Sequence, residues 1–448
     1  MGWGQSTASD ARERGGARRP RTHLFLFLAL TLLGAAPGSA RAADESRSPK
    51  VEAIAARLEQ KKGGARLVFE TTAAVAPTAF PVADPARIIV DLPEVAFRID
   101  PGVGLPAAPP GPARHGGSAE PEGLIKSFRF GQFAPGRSRI VIDLARPARI
   151  ARIENETKQQ MPRLVIDLEP TDSASFAAAV AAHPSSPLPA TRESAAIAPE
   201  QGDKPTIVID PGHGGVDVGA TGAHGEQEKA IVLDFARVLK AKLEASGKLR
   251  VLLTREADVF VPLDERVRVA RRADARLFLS IHADTLAETN VEGATVYTVS
   301  ARASDAAAAA TAEKENLADR AAGLEATADD GAAGVGDILY DLARRETRAY
   351  SRVFARTLIA YWKNFGHLNK NPDRSAGFVV LKAYDVPSAL LELGYLSSEG
   401  DLARLTSAEW RERAADSTVQ AIDRFFRDRE EEARAGPATA VASSTRPQ

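Results

Sequence analysis

The chain has 448 residues, with 58 Lys and Arg against 59 Asp and Glu, a net charge of -1, and 44% hydrophobic residues. Balanced, interspersed charge excludes an electrostatic nucleic-acid binder, and the length allows more than one buried core. Cysteine is absent, which excludes disulfides, thiolate-bound zinc, iron–sulfur clusters and a cysteine nucleophile, so that any metal must be held by histidine and carboxylate.

Residues 1–42 read as a cleavable signal peptide. Arg12, Arg14, Arg18, Arg19 and Arg21 precede the apolar run Leu24–Leu33, and Ala40-Arg41-Ala42 supplies an A-x-A cleavage site. The run is about half of the ~20 residues a membrane span needs, so no transmembrane anchor is expected after cleavage. The mature chain then starts near Ala43, outside the cytoplasm. Arg18-Arg19 fits a twin-arginine leader, but Pro20-Arg21-Thr22-His23 departs from the residues that usually follow, which leaves the Sec and twin-arginine routes both open.

From residue 50 to 170 one strand signature recurs: a basic residue, then β-branched or aromatic apolars, then an acid. It appears as Arg66–Glu70, Arg87–Leu92, Arg139–Leu144 and Arg163–Leu168, with an alternating strand at Lys126–Phe130. Short strands separated by turns predict an all-β sandwich, interrupted by a mobile Pro/Gly loop over Pro101–Gly117. Nothing there looks catalytic, and a scaffold or binding module is expected. Residues 171–203 are rich in Ala, Ser and Pro without an apolar period and read as a linker. The tail, 429–448, reads as disordered.

Residues 204–428 alternate strands with helices. Strands are expected at Thr206–Asp210, Arg250–Thr254, Arg276–His282, Gly293–Val299, Phe378–Lys382 and Ser388–Leu393, and helices at Lys229–Ala245, Asp264–Arg272, Thr347–Lys363 and Ala408–Arg427. This predicts an α/β domain whose largely parallel sheet carries helices on both faces. Residues 300–346, Ala-rich from Ser304 to Ala328, read as an insertion with helical propensity.

Of seven histidines, His23, His115, His183 and His367 fall in signal, loop, linker or polar-turn composition. His213 follows the buried run Thr206–Ile209 in TIVIDPGHGG, and His282 ends the run Leu277–Ile281. Both would lie on one rim of a parallel sheet, where ligand sites collect. Glu392 sits inside the apolar strand Leu390–Leu393, and a buried charge needs a partner or a task. Glu228 opens the helix after the His213 loop; alone it reads equally as an acid favoured at a helix start. Together with the two imidazoles it completes the His₂Glu set of a catalytic zinc site. No H-E-x-x-H occurs, and the pair His224 and Glu228 ranks lower because Gly222 and Gly225 interrupt a helix there. The loop glycines are expected to keep side chains off the metal so that a bulky substrate can approach.

Four blocks in order, Ile209–Gly215, Glu228-Lys229, Ser280–Asp284 and Leu391–Ser398, resemble the zinc-dependent N-acetylmuramoyl-L-alanine amidases of type 3. The last block has Leu393 and Tyr395 where members often have Thr and Phe. The β-rich region resembles the AMIN domain of periplasmic members, associated with cell-wall binding and septal targeting. The resemblance implies Zn2+ on His213, Glu228 and His282, Glu392 as catalytic acid/base, and peptidoglycan as substrate. The bond cut is then the amide joining N-acetylmuramic acid to L-alanine, in the periplasm, during cell-wall remodelling and daughter-cell separation. It further implies that the insertion covers the metal until a protein activator displaces it, with Glu313 or Glu315 as the plug. A catalytically silent wall-binding protein and a secreted zinc peptidase are the alternatives; the four intact residues weigh against the first, and the absent H-E-x-x-H against the second.

Overall fold

The computed structural model describes residues 51–105, 123–183, 204–324 and 338–435. The expected signal peptide, most of the Pro/Gly loop and linker, residues 325–337 of the insertion and the last thirteen residues lie outside them.

Among the described residues nine strands precede the linker: β1 (Val51–Lys61), β2 (Gly64–Thr71), β3 (Thr78–Val82), β4 (Arg87–Pro93), β5 (Val95–Phe97), β6 (Ile125–Ala134), β7 (Arg137–Leu144), β8 (Ala148–Lys158) and β9 (Met161–Pro170). They form a five-stranded sheet, β5-β1-β2-β9-β8, and a four-stranded sheet, β3-β4-β7-β6. The period of two explains the packing. In each signature strand alternate apolars point inward, so that Leu67, Phe69, Ile88, Val90, Ile140, Ile142, Leu164 and Ile166 share one core between the sheets. The flanking Arg and Asp are four residues apart and therefore fall together on the outer face. Register then sets Arg87 opposite Asp143 and Asp91 opposite Arg139, which builds ladders of opposite charge.

The linker begins later than expected. Asp172 accepts a hydrogen bond from the Ser175 N–H and caps helix α1 (Ser173–Ala182), whose Phe176 enters the sandwich core. An Ala-rich stretch with one anchoring aromatic carries too little apolar period to be read from sequence.

The second domain runs β10 (Thr206–Pro211), α2 (Glu228–Ala245), β11 (Arg250–Leu253), α3 (Leu263–Arg272), β12 (Leu277–His282), β13 (Ala294–Val299), α4 (Ala306–Glu315), α5 (Ala318–Ala321), α6 (Ile338–Phe365), β14 (Leu368–Ala376), β15 (Ser388–Glu392), α7 (Glu399–Thr406) and α8 (Ala408–Ala435). The sheet order is β11-β10-β12-β15-β13-β14. All neighbours are parallel except β13 and β15. Ile207, Ile209, Leu279 and Leu391 face α2, α6 and α8, while Val208, Phe278 and Leu390 face α3 and α4. Helices thus cover both faces, as the alternation predicts.

Two further expectations are corrected. Residues 378–382 are not a strand: Phe378, Val380 and Leu381 bury themselves around a short 3-10 turn at Val379–Leu381. The strand is instead the polar segment β14, an edge held to β13 by backbone pairing that needs no apolar side chains. The tail is helical as far as Ala435, continuing α8.

Candidate active site

Parallel pairing places the ends of β10, β12 and β15 on one rim, with His282 directly opposite Glu392. His213 follows β10 at a φ of 58°, in a turn closed by paired hydrogen bonds between Gly214 and Asp217. A guanidinium holds this turn from beneath. Arg266, 2% exposed, donates to Asp210 Oδ1 at 2.8 Å, to the Pro211 carbonyl at 2.9 Å and to the His213 carbonyl at 2.8 Å. Asp210 also accepts from the hydroxyls of Thr254 and Ser280.

Glu228 is the first residue of α2 and fully buried. The N–H groups of Ala220 and Ala283, both 2.8 Å away, donate to its two carboxylate oxygens and fix their direction. His213 Nε2 lies 3.2 Å from Glu228 Oε2, and His282 Nδ1 lies 3.2 Å from Glu228 Oε1. Ligand atoms of the three residues all fall within 4.8 Å of one another. Behind His213, Nδ1 meets Asp217 Oδ2 at 2.9 Å, an arrangement that fixes the tautomer and leaves Nε2 facing the other groups. Neither Asp210 nor Asp284 takes this role. Asp217, four residues after His213, was missed in sequence because only the turn geometry brings it back.

Of the insertion's two glutamates, the structure brings in Glu315. Its Oε2 stands 3.3 Å from His213 Nε2 and 3.1 Å from His282 Nδ1, while Glu313 is exposed. Two residues apart on a helix point to nearly opposite sides, so the register of α4 alone decides between them. Neighbouring Lys314 pairs with Asp284, and Asn316 bonds the Gly377 carbonyl and the Val379 N–H. The cavity left beside the imidazoles is about 10 Å³, barely a water's room. His224 is exposed and away from this cluster.

The glycines play a different part from the one expected. A Cβ on Gly212 would sit 2.4 Å from the His282 ring, so this glycine makes room for the second imidazole. A Cβ on Gly215 (φ 58°) would sit 1.8 Å from the Gln132 carbonyl oxygen of the sandwich. Neither faces open space.

Charge in the cluster is lopsided. Burial opposes charging both imidazoles, yet the surrounding carboxylates outweigh it, holding His213 well above its ordinary value and His282 up to about 10. Burial likewise works against Glu315, but the two imidazoles bring it down to about 2. Glu392 goes the other way: burial, reinforced by Asp284, Glu228 and Glu315 against the pull of His282, holds it well above the usual carboxylate range. Its Oε2 accepts from the Asp284 N–H at 3.1 Å, and its Oε1 has no hydrogen-bond partner among the described residues.

These residues fit a divalent cation. Several carboxylates converge in a buried pocket, where excess negative charge demands a positive partner. Among the described residues His213 Nε2 finds no hydrogen bond of acceptable geometry, although two carboxylates stand within 3.3 Å of it. Nitrogen and oxygen donors in a His₂Glu set suit zinc, which leaves a further position for water.

Comparison with known proteins shows the family of the chain. Residues 207–424 match the family model described as N-acetylmuramoyl-L-alanine amidase, and residues 55–155 match the AMIN domain. The chain is 30% identical over 390 residues to N-acetylmuramoyl-L-alanine amidase AmiC of Escherichia coli O6:H1, covering 84% of this chain and 90% of that protein. It is 30% identical over 429 residues to AmiC of Neisseria meningitidis serogroup B, covering 91% and 97%. Among solved structures, the amidase AmiC2 of Nostoc punctiforme is 29% identical, with a TM-score of 0.35, and covers 50% of this chain and 97% of its own. Both matched regions and the similarity along most of the chain lead to one family, and this chain belongs to it: the N-acetylmuramoyl-L-alanine amidases that carry an N-terminal AMIN domain.

Proposed function

We propose that the chain hydrolyses the amide between N-acetylmuramic acid and the L-alanine of the peptidoglycan stem peptide, with His213, Glu228 and His282 holding zinc and Glu392 moving the proton. When bound, zinc supplies a Lewis acid for the amide carbonyl and acidifies water. Glu392 accepts a proton from the attacking water and returns it to the departing amine of L-alanine. The carbonyl carbon thereby exchanges its bond to nitrogen for one to the water oxygen. The observation that supports this is the free Oε1 of a fully buried glutamate, directly across the strand pair from His282. Burial holds Glu392 above the usual carboxylate range, the direction that favours returning the proton to the leaving amine.

The same reading places the enzyme in the periplasm, acting on the wall at cell separation. Access is controlled by α4. Glu315 lies against both imidazoles, where a substrate carbonyl and its water would have to enter, so the enzyme is autoinhibited until a protein activator draws the insertion away. Among the described residues no helix is long and apolar enough to cross a membrane.

Glu392→Gln tests the chemistry. Zinc content should stay stoichiometric while dye release from purified sacculi falls by about 10²- to 10⁴-fold. Residual products should be intact stem peptides with a free L-alanine amino group. Undiminished release by this variant, or cleavage within the stem, refutes the assignment.

A further inference from the structure

Residues Pro49–Gln448 form one compact unit, and its two domains meet where the insertion turns back. The outer face of the four-stranded sheet is not solvated like that of its partner sheet. Phe80, Ile89, Phe133 and Val141 from this face pack with Val216, Phe260, Ala322 and Leu324 of the catalytic domain. Phe133 stacks on Phe260 at 5.8 Å, and the Arg139 guanidinium lies 3.4 Å over the Phe133 ring.

The arginines of the strand signature meet the insertion there. Arg87 of β4 donates to the Arg320 carbonyl. Arg129 of β6 donates to the Ala321 carbonyl at 2.9 Å, and Arg139 of β7 donates to the Ala322 carbonyl at 2.8 Å. Three neighbouring strands thus reach three consecutive carbonyls at the end of α5, the first of which also accepts from the Gly323 N–H. Asp91 and Asp143 hold Arg139 and Arg129 in place through their other N–H groups. Gly323, at a φ of 79°, passes so close to the sandwich that a Cβ would lie 2.5 Å from Ile89 Cδ1.

The carbonyl of Arg320 is only five residues beyond Glu315. We infer that the AMIN domain is the latch on the plug: its Arg87, Arg129 and Arg139 hold residues 320–324, and through them Glu315, in the closed position. Docking of the sandwich and blocking of the site are then one two-state element, and whatever loosens the first opens the second. This rests on the reading of Glu315 as a plug.

The test uses the full mature chain and three variants. Arg129→Ala removes a partly exposed arginine of the latch, and Gly323→Ala wedges the contact from the insertion's side. Glu315→Ala removes the plug itself. Latch variants should raise activator-free release from sacculi about tenfold, as expected for loss of a charge-assisted hydrogen bond. They should also speed amide hydrogen exchange across residues 306–324 and keep full zinc content. Arg129→Ala combined with Glu315→Ala should release no faster than Glu315→Ala alone. If Glu315→Ala raises release and both latch variants stay at wild-type rate, the latch is overturned and the plug stands. If Glu315→Ala changes nothing, the plug reading fails. Exchange over 306–324 then decides the latch on its own: acceleration in Arg129→Ala supports it, and unchanged protection overturns it.

Discussion

Arg266→Met is the substitution that most directly tests how the site is held. The guanidinium is 2% exposed and its partner Asp210 is fully buried. Methionine fills much of the same volume but leaves Asp210 without the cation at 2.8 Å and the Pro211 and His213 carbonyls without those donors. Removing one partner of a buried pair costs about 3–5 kcal/mol, because the remaining charge stays desolvated. Thr254 and Ser280 still bond Asp210, so a loss of about 4 kcal/mol is expected. That is a large part of a typical stability of about 5–15 kcal/mol. Urea unfolding of metal-free protein measures it without the contribution of bound ligand. Zinc affinity, by competition with a chromophoric chelator, should fall at least ~10-fold, because the His213 turn loses its support. Asp210→Asn added to Arg266→Met should recover part of the stability, since it removes the stranded charge. A loss below ~1 kcal/mol, or lost stability with unaltered zinc affinity, would refute the claim that this pair positions His213.

Asp217→Asn should lower zinc affinity by about 10- to 100-fold with little change in fold, since asparagine keeps an oxygen for the Gly219 N–H while weakening the bond to the far nitrogen of His213; isothermal titration with zinc measures this. Asp319 gives a pH dependence away from the metal. Burial, with Asp264 and Asp217 nearby, pushes it up to about 6 against the opposing Leu263 N–H and Arg266. Its closed-state pKa is raised, so its contribution to closure is complete below the ordinary value of 3.8 and is lost as pH rises through about 6. The gap is worth of order 3 kcal/mol. Hydrogen exchange over residues 306–324, corrected for intrinsic rates, should show weaker protection at pH 7.5 than at pH 5. Asp319→Asn should abolish the difference.

The site was legible because a parallel sheet converts sequence position into spatial position. A histidine just beyond one buried run and another ending a second must share a rim, and a glutamate inside a third run must join them. Glu228 was legible only in company with the two imidazoles, since a helix start attracts acids for its own reasons. What sequence concealed depends on three-dimensional register. Asp217 returns to His213 only through the Gly214 turn, and Glu315 differs from Glu313 only in which side of α4 faces the imidazoles. In the fold, β14 was hidden because an edge strand needs backbone pairing rather than apolar side chains. The 378–382 segment misled because burial on a 3-10 turn leaves the same composition as a strand.

The repeated strand signature makes two different surfaces, and the difference bears on how firmly the site is closed. In the five-stranded sheet the pairs Arg66–Asp167 and Arg163–Glu70 stay partly solvated, where such bridges contribute about 0–1 kcal/mol each. In the four-stranded sheet Arg87 and Arg139 are 2% and 0% exposed, and burial pulls both pKa values down. Their desolvation offsets much of what their bonds to the insertion contribute, and they regain water when the contact opens. On the other side α4 rests on Ala308, Thr311 and Ala312, small groups that bury little apolar area. If Glu315 is the plug proposed above, both of its attachments are specific in geometry yet modest in free energy. Moving a two-state element from 99:1 closed to 99:1 open takes about 5.5 kcal/mol of differential binding, within reach of one ordinary protein interface.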